Sequence, residues 1–384
     1  KTRLGDAVCK SDLFITKQGL DAGSKLAPKG SLLLLTRGSG LFKHIPLAIA
    51  EKDVAYNQDI KCIEATAECI SNIYLFYTLK ALEPAISAML ETTGIGAGKL
   101  ATDRLKALRI PVLDEAARLR VTYIADCING KLSLNTKLNG YLLELLKASA
   151  KNLYAEYERN EELELPAGWR WIEVNEICEM VCRGITPKYN TNSDETVLGQ
   201  TCVRNNLVLL ENGRLHSPKK VTEKWLQKYD LLINSTGVGS LGRTAQVWFE
   251  PTKLVVDSHV TIVRCNDKKH ALYLGFWAFE HEKYIESLHT GSTGQTELPR
   301  DHVKAIRFVL PSDEALERFN KMSAPSVELI VANLEESKRL ADLRDALLPK
   351  LMSGGIDVSK IDLMQLNSHL AKCFMYTMAS LSIC

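Results

Sequence analysis

Three residue patterns in this chain could carry chemistry: glycine loops that cradle phosphates, thiols and imidazoles that bind metals or act as nucleophiles, and cations interleaved with amides. The sharpest is Gly237-Val238-Gly239-Ser240-Leu241-Gly242, which fits GxGxxG after the apolar run YDLLINS and is followed by Asp257. A dinucleotide site needs that motif to open a helix whose N-terminus meets the pyrophosphate. Here Arg243 to Leu254 reads RTAQVWFEPTKL, with Pro251 inside it, so a tight turn between two strands is expected instead. The earlier counterpart, Gly38-Ser39-Gly40-Leu41-Phe42-Lys43, lacks the third glycine. Gly94-Ile95-Gly96-Ala97-Gly98-Lys99-Leu100 is one residue short of a P-loop and has Leu where a hydroxyl must reach magnesium. Its counterpart, Thr290-Gly291-Ser292-Thr293-Gly294-Gln295, has no lysine. What the two share is a glycine-rich loop that suits a DNA surface or a plain turn.

The ten cysteines form no CxxC pair, and Cys178 and Cys182 lack a second cluster at zinc spacing. They read as reduced, mostly buried small hydrophobes of a cytoplasmic protein. The eight histidines show no metal spacing and no Ser/His/Asp set, and no NPPY-type methyltransferase tetrad occurs. His259 falls opposite Ile60 in the repeat described below, which favours a structural role for it.

Reading DNA needs cations for phosphates and planar amide or guanidinium groups for base edges. The second half offers Arg183, Lys188, Tyr189, Arg204, Asn205, Lys219, Lys220, Arg243, Thr293 and Gln295, with Arg214, Asn190, Asn192 and Asn206 among them. The first half offers Lys10, Arg37, Lys43 and Lys99. Singly, each could be ordinary solvated surface; as sets they form a candidate DNA face. Net charge is only +2, from 48 basic against 46 acidic residues, so any such face must be local.

The elements that would hold these residues repeat. At 384 residues the chain predicts two domains or a pair of repeated units, and its 46% hydrophobic and 24% charged residues exclude a disordered or collagen-like chain. Leu4-Gly5-Asp6-Ala7-Val8-Cys9-Lys10 echoes Leu198 to Arg204, and Ser31-Leu32-Leu33-Leu34-Leu35-Thr36-Arg37-Gly38 echoes Asp230 to Gly237. Tyr74-Leu75 echoes Tyr273-Leu274, Leu100 to Arg109 echoes Leu298 to Arg307, and Asp114-Glu115-Ala116 echoes Asp313-Glu314-Ala315. Five matches in order and near register indicate duplication.

Each copy opens with short strand-like runs bounded by Gly, Pro, Asn and Ser. One helix interrupts them, around Tyr74 to Leu90, where Pro84 is a possible kink, and around Ala271 to Leu288. Each copy closes with a long helix, from about Glu115 to Tyr157 and from about Glu314 to Leu348. Leu138, Leu142, Leu145 and Ala148 form one apolar stripe, and Val327, Ile330, Leu334 and Ala341 the other. Helices of ~40 residues run ~60 Å and must lay a narrow stripe on another helix. The fold class expected is therefore α+β: two tandem globular domains of mixed strands and short helices, separated by two long antiparallel coiled-coil helices in a pseudo-twofold dumbbell. The alternative is that each long helix packs on its own β domain.

Leu165-Pro166-Ala167-Gly168-Trp169, the turn Arg183-Gly184-Ile185-Thr186-Pro187, and Leu343-Arg344-Asp345-Ala346-Leu347-Leu348-Pro349-Lys350-Leu351-Met352-Ser353-Gly354 carry a family resemblance. With the tandem layout, the chain resembles the specificity subunit of type I restriction-modification enzymes over nearly its full length. The resemblance implies two target-recognition domains, each reading half of a bipartite, asymmetric double-stranded DNA site. It implies partners: two modification (methyltransferase) subunits docked on the helices, and restriction/translocase subunits. S-adenosylmethionine, ATP and Mg would belong to those partners, with no cofactor and no catalytic site in this chain. On this reading 1–112 is the first recognition domain, 113–162 the first spacer helix, 163–311 the second recognition domain, 312–354 the second spacer and 355–384 a tail.

The first copy lacks its own LPxGW opening, so about 30 residues are expected before Lys1, and the tail from Ile361 has no repeat partner. No apolar run reaches the ~20 residues of a membrane span, and a cytoplasmic location is expected. A rival reading is a coiled-coil scaffold joining two protein-binding β domains without DNA recognition.

Overall fold

The run Leu32–Leu35 is a strand whose unbroken hydrophobicity follows from burial on both faces. In the computed structural model, which describes residues 7–8, 14–94, 96–217, 224–291 and 296–363, Leu32 and Leu34 join a core with Tyr74, Phe76 and Ile86. Leu33, on the opposite face, joins Ala27 and Ala50. The strand lies antiparallel between Leu47–Ala50 and Ile60–Ile63, and Ala7–Val8 adds in parallel at the edge. The second copy builds the same centre: Leu231–Asn234 lies antiparallel between Thr244–Gln246 and Val260–Cys265, and Cys178–Arg183 completes four strands.

The chain divides into two compact units, one containing Thr136 and Leu334 at its two breaks, the other running from Lys137 to Asn333. Each contains one copy of the strand-rich part together with a stretch of both long helices.

The helix that interrupts the strands is two helices in each copy, Asn72–Ala81 with Glu83–Ser87 and Lys268–Glu280 with Glu282–Ser287. Proline explains only the first break. The second falls at His281, the repeat counterpart of Leu82, with backbone angles close to those of Leu82. His281 Nδ1 contacts Trp277 O at 2.7 Å and its ring stacks on Trp277 at 4.1 Å, which holds that corner without proline.

The long helices span Glu115–Arg159 and Asp313–Met352. In the first unit Arg344 donates to Asn129 (3.0 Å), and Asn135 donates to Glu336 (2.7 Å) and Ser337 (3.2 Å), so rising numbers meet falling ones and the pairing is antiparallel. In the second unit Asn333 donates to Asn139 at 2.8 Å, and Asn139 donates to the Ile330 carbonyl.

The expected stripe on the first helix is out of phase. Leu142, Leu146, Ala150 and Tyr154 are the buried set, while Leu145 is 58% exposed. Packing follows the i, i+4 row, which a stripe mixing three- and four-residue steps leaves after Leu142. On the second helix Val327 and Ile330 are buried as expected, but Leu334 is exposed. The cysteines differ from expectation in burial: of the seven described, only Cys202 is fully buried, and Cys69 is exposed.

Candidate nucleic-acid interface

The GxGxxG segment is a hairpin turn. It connects Leu231–Asn234 to Thr244–Gln246, and no helix opens after it. Gly242 has φ +82°, and a Cβ there would meet the Glu286 backbone nitrogen at 2.7 Å. The P-loop look-alike likewise leads into a strand, Gly98–Leu100. Neither segment has the helix N-terminus that phosphate binding uses. Among the described residues no cluster of three His, Cys, Asp or Glu could hold a metal.

In the first unit, Arg37 stands directly opposite Lys99 in the antiparallel pair of Arg37–Gly38 with Gly98–Leu100, and Glu91 flanks Lys99 on its other side. All three are exposed, and Arg104 pairs with Glu91 at 3.3 Å. Lys43 follows the short helix Ser39–Phe42, which packs over Gly98. Arg37, Lys43 and Lys99 therefore gather around one strand end.

In the second unit the candidates occupy three places. Gly184 lets the chain pass over Val256, whose carbonyl would lie 2.1 Å from a Cβ at 184. Beyond it, 188–190 runs beside Arg214–His216, through Ser217 N to Lys188 O and Asn190 N to Leu215 O. That brings Lys188 and Tyr189 to the same strand as Arg214, whose guanidinium lies 3.7 Å from the Tyr189 ring centroid. Arg214 also donates to the Tyr189 hydroxyl. A guanidinium held over an exposed ring is a prepositioned planar donor.

Arg204 and Asn205 form the tip of the hairpin Val203–Arg204 with Leu207–Val208. Asn205 (φ 53°) and Asn206 (φ 60°) make its turn, the left-handed pair that a two-residue hairpin requires. Asn206 Nδ2 donates to Glu282 Oε1 at 3.0 Å, and the same oxygen accepts from Thr244 N (2.7 Å) and Oγ1 (3.0 Å). Glu282 thus ties the hairpin to the residue after Arg243, leaving Arg204 and Asn205 exposed. Nothing in the sequence marks Glu282, because it acts through a contact 76 residues away from Asn206.

Arg183 is committed within the protein. It donates to Glu297 (2.8 Å), the Leu298 carbonyl (2.8 Å) and the Ser258 carbonyl (3.2 Å), and burial pulls its pKa below the ordinary value. Lys10, Lys219, Lys220, Thr293 and Gln295 lie outside the described residues. The structure therefore brings the candidates together in local groups, each on a strand end or hairpin.

Two duplicated α+β units with differing polar groups on a common frame, and a stretch of both long helices in each, define a tandem-repeat α+β protein. No family model matches the chain. It is similar to the type I restriction enzyme MjaIX specificity subunit of Methanocaldococcus jannaschii, 23% identical over 382 residues, covering 92% of this chain and 84% of that protein. The HindI specificity subunit of Haemophilus influenzae is 34% identical over 85 residues, 22% of this chain and 18% of that one. The crystal structure of a type I restriction-modification S subunit from M. genitalium has the same fold, with TM-score 0.50 and 16% identity, covering 86% and 84% of the two chains. Over most of its length the chain is thus similar in sequence to one specificity subunit of a type I restriction enzyme and shares its fold with another protein of that description.

Proposed function

We propose that the chain is the noncatalytic DNA-recognition subunit of a type I restriction-modification complex, reading a bipartite, asymmetric site and positioning methyltransferase and restriction subunits on it. The observation that carries this is the repetition of one strand frame with unlike polar side chains: Arg37 and Lys99 in one unit stand where Thr236 and Glu297 stand in the other. Two dissimilar half-sites around a gap are what such a pair would read. Lys10, Arg37, Lys43 and Lys99 serve the first half-site. Arg183, Lys188, Tyr189, Arg204, Asn205, Lys219, Lys220, Arg243, Thr293 and Gln295 serve the second, with Arg183 acting from inside the protein.

Two modification subunits dock on the long helices. Supporting this, the first helix exposes Leu119 (66%) and Tyr123 in one unit and Tyr141 (75%) and Leu145 in the other, an apolar row on the face turned from its core contacts. Restriction subunits join that complex, which acts on cytoplasmic DNA. Among the described residues no helix is long and apolar enough to cross a membrane.

The test is selection from a random duplex library by the full chain co-expressed with its modification subunit, at two salt concentrations. A split, asymmetric motif is expected, with affinity falling as salt rises; Lys188→Ala should lower the log–log salt slope by about 1. Uniform or absent binding would transfer the reading to the protein-binding scaffold.

A further inference from the structure

Internal duplication makes the two units an alignment of one fold with itself. Thr36-Arg37-Gly38 in the first unit matches Ser235-Thr236-Gly237 in the second, and the frame is shared on every side. Leu100 N donates to Thr36 O at 2.9 Å, and Leu298 N donates to Ser235 O at 2.8 Å. Both leucines are buried, at 2% and 0% exposure. Lys99 pairs across to Arg37 on one side and Glu91 on the other. Glu297 pairs with Thr236 and Thr290 in the same two positions.

Inside this unchanged frame the exposed side chains differ in charge. A lysine flanked by an arginine and a glutamate in one unit is replaced by a glutamate flanked by two threonines in the other. Arg37, Lys99 and Glu297 are exposed on the same backbone frame, whereas Thr236 is half-buried, with its hydroxyl bonded to Gln200 and His259. An exposed carboxylate also opposes a phosphate-rich partner unless it is neutralised, and Arg183 does this at 2.8 Å, anchored by the Leu298 and Ser258 carbonyls.

Resting on the DNA-recognition reading, we infer that this position is the corresponding base-reading site of both units. Lys99 and Arg37 donate to the O6 and N7 acceptors of a guanine in one half-site. Glu297 accepts from the exocyclic amine of a cytosine or adenine in the other. Arg183 is the positioning residue that holds Glu297 and cancels its charge, and does not itself contact a phosphate.

The test uses the full chain assembled with its modification subunit and selected on randomised duplex DNA. Glu297→Lys should change the preferred base at one position of one half-site toward guanine and leave the other half-site intact as an internal control of folding. Lys99→Gln should relax one position of the opposite half-site, with discrimination falling about tenfold or more. Glu297→Gln should blunt the same position as Glu297→Lys, and remains decisive if the lysine variant loses its half-site altogether. Arg183→Ala should blunt that position too, with partial rescue in Arg183→Lys, which keeps a cation beside the carboxylate. If the unaltered protein selects a split motif that Glu297→Gln and Lys99→Gln leave unchanged, the inference falls and the DNA-recognition reading stands. If the unaltered protein selects no motif, both fall. An Arg183→Ala variant that lowers affinity while keeping the base preference would overturn its positioning role.

Discussion

Asp230 precedes the central strand of the second unit, and its counterpart in the first is Ser31. Ser31 Oγ donates to Glu64 at 2.7 Å, whereas Asp230 accepts two bonds of 2.7 Å from Arg264, with the pair at 1% and 7% exposure. One location is thus joined by a neutral–ionic bond in one copy and a buried ion pair in the other. Removing a single partner of a buried pair leaves an uncompensated charge. Asp230→Ala is expected to destabilise the protein by ~3–5 kcal/mol in urea unfolding, and Ser31→Ala by only about 1 kcal/mol. Equal effects would show that the Asp230 pair is not desolvated as the structure has it. His270 makes a pH prediction. Burial lowers its pKa from 6.5, and its Nδ1 has no hydrogen-bond partner. The unfolded chain therefore takes up the proton first as pH falls, so the neutral-pH stability is lost from 6.5 downward until the folded group also protonates. His270→Leu should flatten the drop in melting temperature between about pH 7.5 and pH 5.5; an unchanged drop would assign it to other groups.

Among the elements, the central strands were legible because a both-faces-buried strand is a continuous apolar run, and the repeat fixed the second from the first. Leu32–Leu35 and Leu231–Asn234 lie 199 residues apart in sequence and in structure alike. The helix break at His281 was not legible, since stacking on Trp277 leaves no proline or glycine signal. For the candidate site residues the sequence gives type but not commitment: Arg204 and Asn205 are exposed at a hairpin tip, while Arg183 bonds three protein oxygens. The helix pair turns on another contact that periodicity conceals. Asn139 and Asn333 are buried at 8% and 3% exposure and bond each other, a polar contact that fixes register at some cost in stability. Asn333→Leu alone takes the donor from the buried Asn139 Oδ1, while Asn139 Nδ2 keeps its bond to the Ile330 carbonyl, and should cost ~1–3 kcal/mol. The double change Asn139→Leu with Asn333→Leu should recover most of that loss in the same denaturant titration. A double variant as unstable as the single would mean that packing, not the amide pair, sets the effect.

For the whole molecule, the two helices of 45 and 40 residues are proposed to set the distance between half-sites. Deleting seven residues from each, at facing positions, removes about two turns, or ~10 Å, while rotating each helix by only about 20°. On DNA that length is about 3 bp, and 3 bp is nearly a third of a helical turn. A gap shortened by that amount therefore restores the distance but turns one half-site away from its reader. Selection by the shortened protein with its modification subunit should return the same two half-sites about 3 bp closer, with affinity below that of the parent because the angular mismatch must be absorbed by bending or twisting the DNA. The half-sites should not change, since every residue proposed to read them lies outside the deleted segments. A motif recovered with the original gap would defeat the spacer role of the helices and leave the two readers in place.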